Sequence, residues 1–434
     1  MFKTIKTHRR HLGKLISTVT LLVIFASSHA VPTGAVIDGV SGTTFNLKTK
    51  SGHITTPDGD SVLVWGYALN DGPMQYPGPT LILNQGDTIN ITLNNTLSVK
   101  SSMVFPGQEQ VATQGGTVGL LTNEAAATNG TVQYSFIASK SGTYMYQSGT
   151  NPELQTEMGL FGAIIVRPST DNQAYNHVGT SFDHEYLFVF SEMDPSIHHK
   201  VEVGQPVDNN NYKPVLWFIN GRNAPDTMAD AGAPWLPNQP YNSLPRVHPG
   251  DKALLRFVTA SRTTHPFHTH GNHFRLLARD GNLLSSTGNG PDLSHENFTL
   301  HAVPGSTYDA LWDWTGKELG WDIYGHTAGD GSNTCINTTN GYDDITHEYC
   351  ADHEKPIPII GNELQDLAFG GFYSGSPYLG ASGSLPPGEG GLNLNGGLFF
   401  MWHSHNEREI VNNDIFPGGM MTMLIVEPPG IPIP

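Results

Sequence analysis

The chain has 434 residues, of which 38% are hydrophobic and 14% charged, and carries a formal charge of −17. An acidic surface repels nucleic acid and anionic membranes, so neither is an expected partner, whereas metal ions and other cations are favoured. The 49 Gly and 30 Pro, with few Lys, predict a turn-rich all-β protein, and the length allows two domains.

Residues 1–30 read as a secretory signal peptide. Lys3, Lys6, Arg9, Arg10 and Lys14 form a basic start, an apolar run follows from Leu15 to Ala26, and Ser28-His29-Ala30 has the small-x-small pattern of a cleavage site. The run is shorter than the roughly 20 residues of a membrane span. A signal anchor is the alternative. Cleavage predicts a secreted or periplasmic protein with no membrane span, and moves the formal charge from −17 to −22.

The rest is internally duplicated. In residues 31–168, Pro77-Gly78-Pro79-Thr80 leads into LILNQGDTINITLNN, in which β-formers alternate around a Gly-Asp turn. This first unit closes with GTYMYQSGT and EMGLFGAIIVRP. A polar stretch over 169–184 is the expected linker. In residues 185–434, LPRVHPGDKALLRFVTA has the same turn between apolar strands, and the unit closes with GLFFMWHSHN and PGGMMTMLIVEP. Met420, Met421 and Met423 read as core strand. A Gly/Pro-rich insertion over about 315–397 separates TYDALWDW from the last strand pair. It either covers the histidines that follow it or is a solvated surface loop. Within it, Cys335 and Cys350 read as a loop-stapling disulfide, with a thiolate metal pair as the alternative.

Five of the twenty histidines fall in two short motifs, His265-Pro266-Phe267-His268-Thr269-His270-Gly271 and His403-Ser404-His405. Residues i and i+2 of a strand point the same way, so each His-x-His offers two imidazoles on one face. Imidazole suits copper, zinc, iron and nickel, with copper highest in intrinsic affinity. Two such pairs in one β-domain predict a copper site formed by His268, His270, His403 and His405. His198, His199 and His248 lack partners at ligand spacing and read as surface residues. His273 reads as a packing or outer-shell residue.

HPFHTHG, MWHSH and PGPTLILNQGDTINITLNN together resemble the multicopper oxidases, and nearly the whole mature chain resembles their two-domain cupredoxin members. The resemblance implies two cupredoxin-like Greek-key β-sandwich domains, the second with a long loop insertion. It implies that His265 would bind an electron-accepting type 1 copper, while His268, His270, His403 and His405 would belong to an oxygen-reducing trinuclear cluster. It also implies a small-molecule or metal-ion substrate and a homotrimer.

The chain departs from that pattern. Ser404 stands where the family has its type 1 cysteine, and Glu409 where it has the second type 1 histidine. The first unit has SSMVFPGQ (Ser101 to Gln108) and Tyr146-Gln147-Ser148-Gly149 where the family has His-x-His pairs, so four of eight cluster histidines remain. The expectation is one copper on the four remaining histidines, in a copper-dependent oxidoreductase or a non-catalytic copper-handling protein. A second, mixed nitrogen/oxygen site of His265, Glu409 and Asp414 stays open. No acid or base is assigned; Glu407, Glu409 and Asp414 are the nearest carboxylates in sequence.

Overall fold

A computed structural model describes residues 37–315, 378–380, 383–384, 392–393, 397–427 and 432–433. The expected signal segment, both cysteines and most of the insertion lie outside these residues.

The chain is built of β-strands with a few short helices. In the first half, a sheet of Val40–Ser41, Leu81–Asn84, Phe161–Arg167 and Gly142–Gln147 faces a sheet of Ser61–Leu69, Thr44–Thr55, Thr88–Asn95, Gly130–Ile137 and Ala112–Gly115. Alternation explains the second sheet. Ile89, Ile91 and Leu93 point into a core that also holds Phe45, Leu81, Tyr134 and Ile164, while Thr88, Asn90 and Thr92 point outward. Cupredoxin-like sandwiches are the architecture of both halves.

The second half repeats the plan. One sheet runs Leu216–Ile219, His184–Met193, Lys252–Thr259, Thr307–Asp313, Phe274–Arg279 and Asn282–Leu283. The other runs Arg246–Val247, Met421–Val426, Gly397–Ser404, His265–Thr269 and Thr299–Ala302. Phe188, Phe257, Phe267, Trp312 and Trp402 fill the space between them. Met420, Met421 and Met423 are buried, as core strand requires.

The near-continuous apolar run of Lys252–Thr259 has a cause: it is buried on both faces. Ala253, Leu255 and Phe257 face their own sandwich core, while Val258 joins Ile54, Val64, Met145 and Phe161 of the first half in a shared apolar cluster. Arg256 is buried on that same outer face. Its Nε donates to Glu185 at 2.7 Å and its Nη1 to Asp309 at 3.1 Å, while Arg167 of the first half donates to Glu185 at 2.6 Å. A buried cation needs such partners. The stretch between the halves also packs, with Ala174 and Tyr175 buried and the Tyr175 hydroxyl donating to Asp309 at 2.6 Å.

Candidate metal centre

The four expected ligands come from two neighbouring antiparallel strands. His268 pairs directly with His403, and Phe267 with Ser404, so the strands His265–Thr269 and Gly397–Ser404 bring their motifs side by side. The His405 N–H donates to the Pro266 carbonyl at 2.7 Å, which carries this pairing past the strand end. Gly271 closes the first motif at φ 90°, and a Cβ there would stand 2.8 Å from the Phe400 ring. The Trp402 indole donates to the His270 carbonyl at 3.1 Å, locking the turn onto the core.

The imidazoles converge. The ring centroid of His268 lies 4.8 Å from His270, 4.7 Å from His405 and 5.7 Å from His403. His403 lies 5.3 Å from His270 and 5.1 Å from His405. The Nε2 atoms of His403 and His270 are 3.4 Å apart. His403 Nδ1 is 2.7 Å from the Ser404 carbonyl, which can only accept, so its proton sits on Nδ1 and the Nε2 lone pair faces its neighbours. His268 Nδ1 is held 3.0 Å from the Thr299 hydroxyl.

Electrostatics favour the uncharged form of three of the four rings. Burial, reinforced by His270 and His405, pushes His268 down to about 4. Burial does the same to His403, also to about 4, with the other three rings adding to it. His270 is lowered by burial and by His405. Neutral imidazole is the form that ligates a metal. His403 is buried, His268 and His270 half-buried and His405 exposed, so the cluster opens to solvent on one side. Phe298, 57% exposed and 5.7 Å from the His268 ring, rims it. His273 is exposed and lies tilted beside Phe298 at 5.6 Å, outside the four-ring group.

Strand parity sends His265 the other way. It is buried on the inward side with Phe267 and Thr269. Its Nδ1 is 2.9 Å from Glu409 Oε2, and its Nε2, without a hydrogen-bond partner, lies 3.8 Å from Glu192 Oε2. Ser404 donates to the same Glu409 oxygen at 2.6 Å, and Asn406 donates to the other at 2.9 Å. Asp414 does not join them: it is exposed on a left-handed turn at φ 64°. Glu407 is also exposed, on the short helical turn Glu407–Ile410. Glu192, which no motif marks, is the carboxylate that sequence reasoning missed. Its backbone neighbourhood gives the reason: it caps Arg262 and Thr263 through their N–H groups at 3.0 and 2.9 Å, a contact made only by folding.

Two other expectations need correction. His198 is not a surface residue but fully buried, with Glu157 3.7 Å from its Nε2 and the Leu63 carbonyl on its Nδ1. Its helix, Pro195–Glu202, is amphipathic and turns this ring inward while His199 stays exposed. His248 is half-buried and lies at ligand spacing from His184 and Asp251, which are far from it in sequence or separated by a turn.

In the first half, the positions matching the family's other histidine pairs hold small polar groups. Ser148 and Ser101 donate to Gln155 Oε1 at 2.6 and 3.1 Å, and Gln147 bridges to Val104 through the backbone. These hydrogen bonds close the region without any imidazole.

Profiles of the multicopper oxidase family match residues 48–171 and 207–304, together about half of the sequence. The chain belongs to the multicopper oxidase family. Family members are copper proteins, and copper is the metal this membership brings. L-ascorbate oxidase of Cucumis sativus is 29% identical over 157 residues, 34% of this chain and 25% of the relative. A copper resistance protein A homolog of Pseudomonas syringae pv. tomato is 26% identical over 284 residues, 58% of this chain and 45% of the relative. The matched region thus spans less than half the length of these curated relatives. In fold, the chain is similar to the blue copper oxidase of Nitrosomonas europaea, with a TM-score of 0.55, 18% identity, and coverage of 88% of this chain and 85% of that one. A second similar structure is the multicopper oxidase mgLAC, with a TM-score of 0.54, 17% identity, and coverage of 90% and 87%.

Proposed function

We propose that the protein is an exported copper-dependent oxidoreductase whose copper sits at a single centre made by His268, His270, His403 and His405. The observation that carries this reading is the convergence of four imidazoles from two paired strands. Four imidazoles are a donor set suited to one copper, and the rings draw closer when three of their nitrogens share it, since as they stand no three come within 4.8 Å of one another. The set does not fit a trinuclear cluster, because Ser101, Gln147, Ser148 and Gly149 offer no imidazoles. Nor does it fit a blue centre, which needs a thiolate where Ser404 places a hydroxyl.

Copper held by these imidazoles would supply one-electron redox chemistry. The protein's own residues do the rest. The Ser404 carbonyl and the Thr299 hydroxyl orient His403 and His268, and Trp402 and Phe400 hold the turn that presents His270. Phe298 gives a small organic substrate an apolar surface beside the rings. Among the described residues no carboxylate touches the four imidazoles, so a substrate whose oxidation needs little proton transfer from the protein is favoured. The first unit, 31–168, would be structural and the second, 185–434, would carry the site. The basic and apolar start of the chain supports export.

A second reading is copper handling without turnover. The solvent-open side at His405 and the similarity to a copper resistance protein favour it. Oxygen uptake by copper-loaded protein with phenols or reduced metal ions, or consumption of nitrite with an added electron donor, separates the two. Turnover that disappears in the His403→Ala/His405→Ala chain supports the oxidoreductase. Tight copper binding with no turnover on any of these leaves only the handling role.

A further inference from the structure

A second cluster lies at the other end of the same sandwich. On the strand Met421–Val426, His403 pairs with Met421, while Val247 pairs with Val426. Five residues of strand separate these ends by about 17 Å. Just past Val247, the turn His248-Pro249-Gly250-Asp251 leads into Lys252–Thr259, and His184 opens the strand alongside it.

Asp251 Oδ2 lies 2.8 Å from His184 Nε2 and 3.3 Å from His248 Nδ1. The three ligand atoms are all within 4.8 Å of one another. Ligands about 2.0–2.1 Å from a tetrahedral or octahedral ion are themselves about 2.8–3.4 Å apart, so these atoms need little movement to share one. His184 is 5% exposed, while His248 and Asp251 are half-buried, which gives an ion both a rigid anchor and a way in. Close by, Glu427 is fully buried; Arg246 pairs with one of its oxygens, and the other has no hydrogen-bond partner. Glu427 lies within electrostatic reach of His248.

The internal duplication supplies a control. The matching turn in the first half is Asn84-Gln85-Gly86-Asp87, where Asn84 Nδ2 donates to Asp87 Oδ2 at 3.2 Å. By strand register, His184 beside Ala253 corresponds to Thr43, which precedes Thr44 beside Asn90. The fold therefore needs only an amide and a carboxylate to make this turn. The second half has placed two imidazoles there instead.

We propose that His184 Nε2, His248 Nδ1 and Asp251 Oδ2 form a second metal site, separate from the four-imidazole centre, that takes a divalent first-row transition ion such as Zn²⁺. Two histidines and one carboxylate are a borderline donor set suited to such ions. The ion ties the start of a central strand to the turn that feeds its neighbour, with Glu427 offsetting its charge. The proposal does not rest on the copper reading and is tested without it.

The test uses full-length metal-free protein carrying His403→Ala/His405→Ala, titrated with Zn²⁺ and followed by bound-metal analysis and thermal unfolding. One zinc per chain with a raised midpoint is expected. Adding His248→Asn, which copies the first-half turn and so keeps the fold, should abolish both effects. Zinc binding unchanged by His248→Asn, or no zinc bound in its absence, would overturn the proposal. A second measurement needs no change at the site: on zinc addition the ring nitrogen resonances of His184 and His248 should shift together, and resonances that stay put contradict it.

Discussion

The two faces of the strand His265–Thr269 carry the same residue type into opposite environments. On the outer face, His268 and His270 meet His403 and His405, are pushed toward neutrality by burial and by one another, and open to solvent. On the inner face, His265 is enclosed, with Glu409 on one ring nitrogen and Glu192 facing the other. Imidazoles gathered with no carboxylate beside them among the described residues are suited to a cation. A ring already bonded to a carboxylate that also holds Ser404 and Asn406 is suited to stiffen a core. One residue of strand parity separates a ligand from a strut.

The comparison can be broken most forcefully on the outer face. His403→Ala/His405→Ala removes two of four ligands, and copper affinity should fall by more than the ~10–100-fold typical of losing an outer-shell partner; competition against a chelator of known strength measures it. Retention equal to that of the unmodified chain would show that the four rings do not act together.

The next effect is a gain on the inner face. Ser404→Cys with Glu409→His supplies the thiolate and second imidazole beside His265, and the doubly substituted protein should take up an additional copper with intense blue absorption. Ser404→Cys alone should not, because Glu409 still occupies His265 Nδ1. Colour in the single variant would mean that Glu409 is no obstacle.

Glu409→Gln weakens the inner clamp without touching the outer rings. Stability in denaturant should drop by about 1.5–3 kcal/mol, the range for hydrogen bonds to a charged partner, while copper affinity changes little. A large loss of copper would couple the two faces and contradict their separation.

Acidity gives a smaller effect. His268 and His403 stand at about 4 when folded against an ordinary 6.5, so below 6.5 protons favour the unfolded chain. The metal-free protein should keep full stability from this source above pH 6.5 and lose it progressively toward pH 4. Denaturant midpoints across that window measure the loss, which should shrink in His403→Ala. Thr299→Ala, which frees His268 Nδ1, should bring the mildest change, about a tenfold weakening of copper binding.

Much of this was legible in the sequence because it is periodic. The alternation of TINITLNN and the i, i+2 spacing of the histidines follow from strand geometry alone. The outward direction of His268 and His270 follows from the same rule. What was not legible depends on chain segments meeting across the fold. Glu192 reaches His265 across 73 positions of sequence, and His184 reaches Asp251 across 67, with nothing at either place to mark the partner. His198 was misplaced because an eight-residue amphipathic helix after a strand leaves too short a pattern to reveal which ring turns inward.

The central claim is that four imidazoles share one copper. Paramagnetic resonance of the protein given one equivalent of Cu(II) tests it most directly. The account predicts a colourless-to-pale type 2-like signal with splitting from several nitrogens, replaced by a different signal in His403→Ala/His405→Ala. A blue thiolate-like signal, or a spectrum identical in the two proteins, would contradict it.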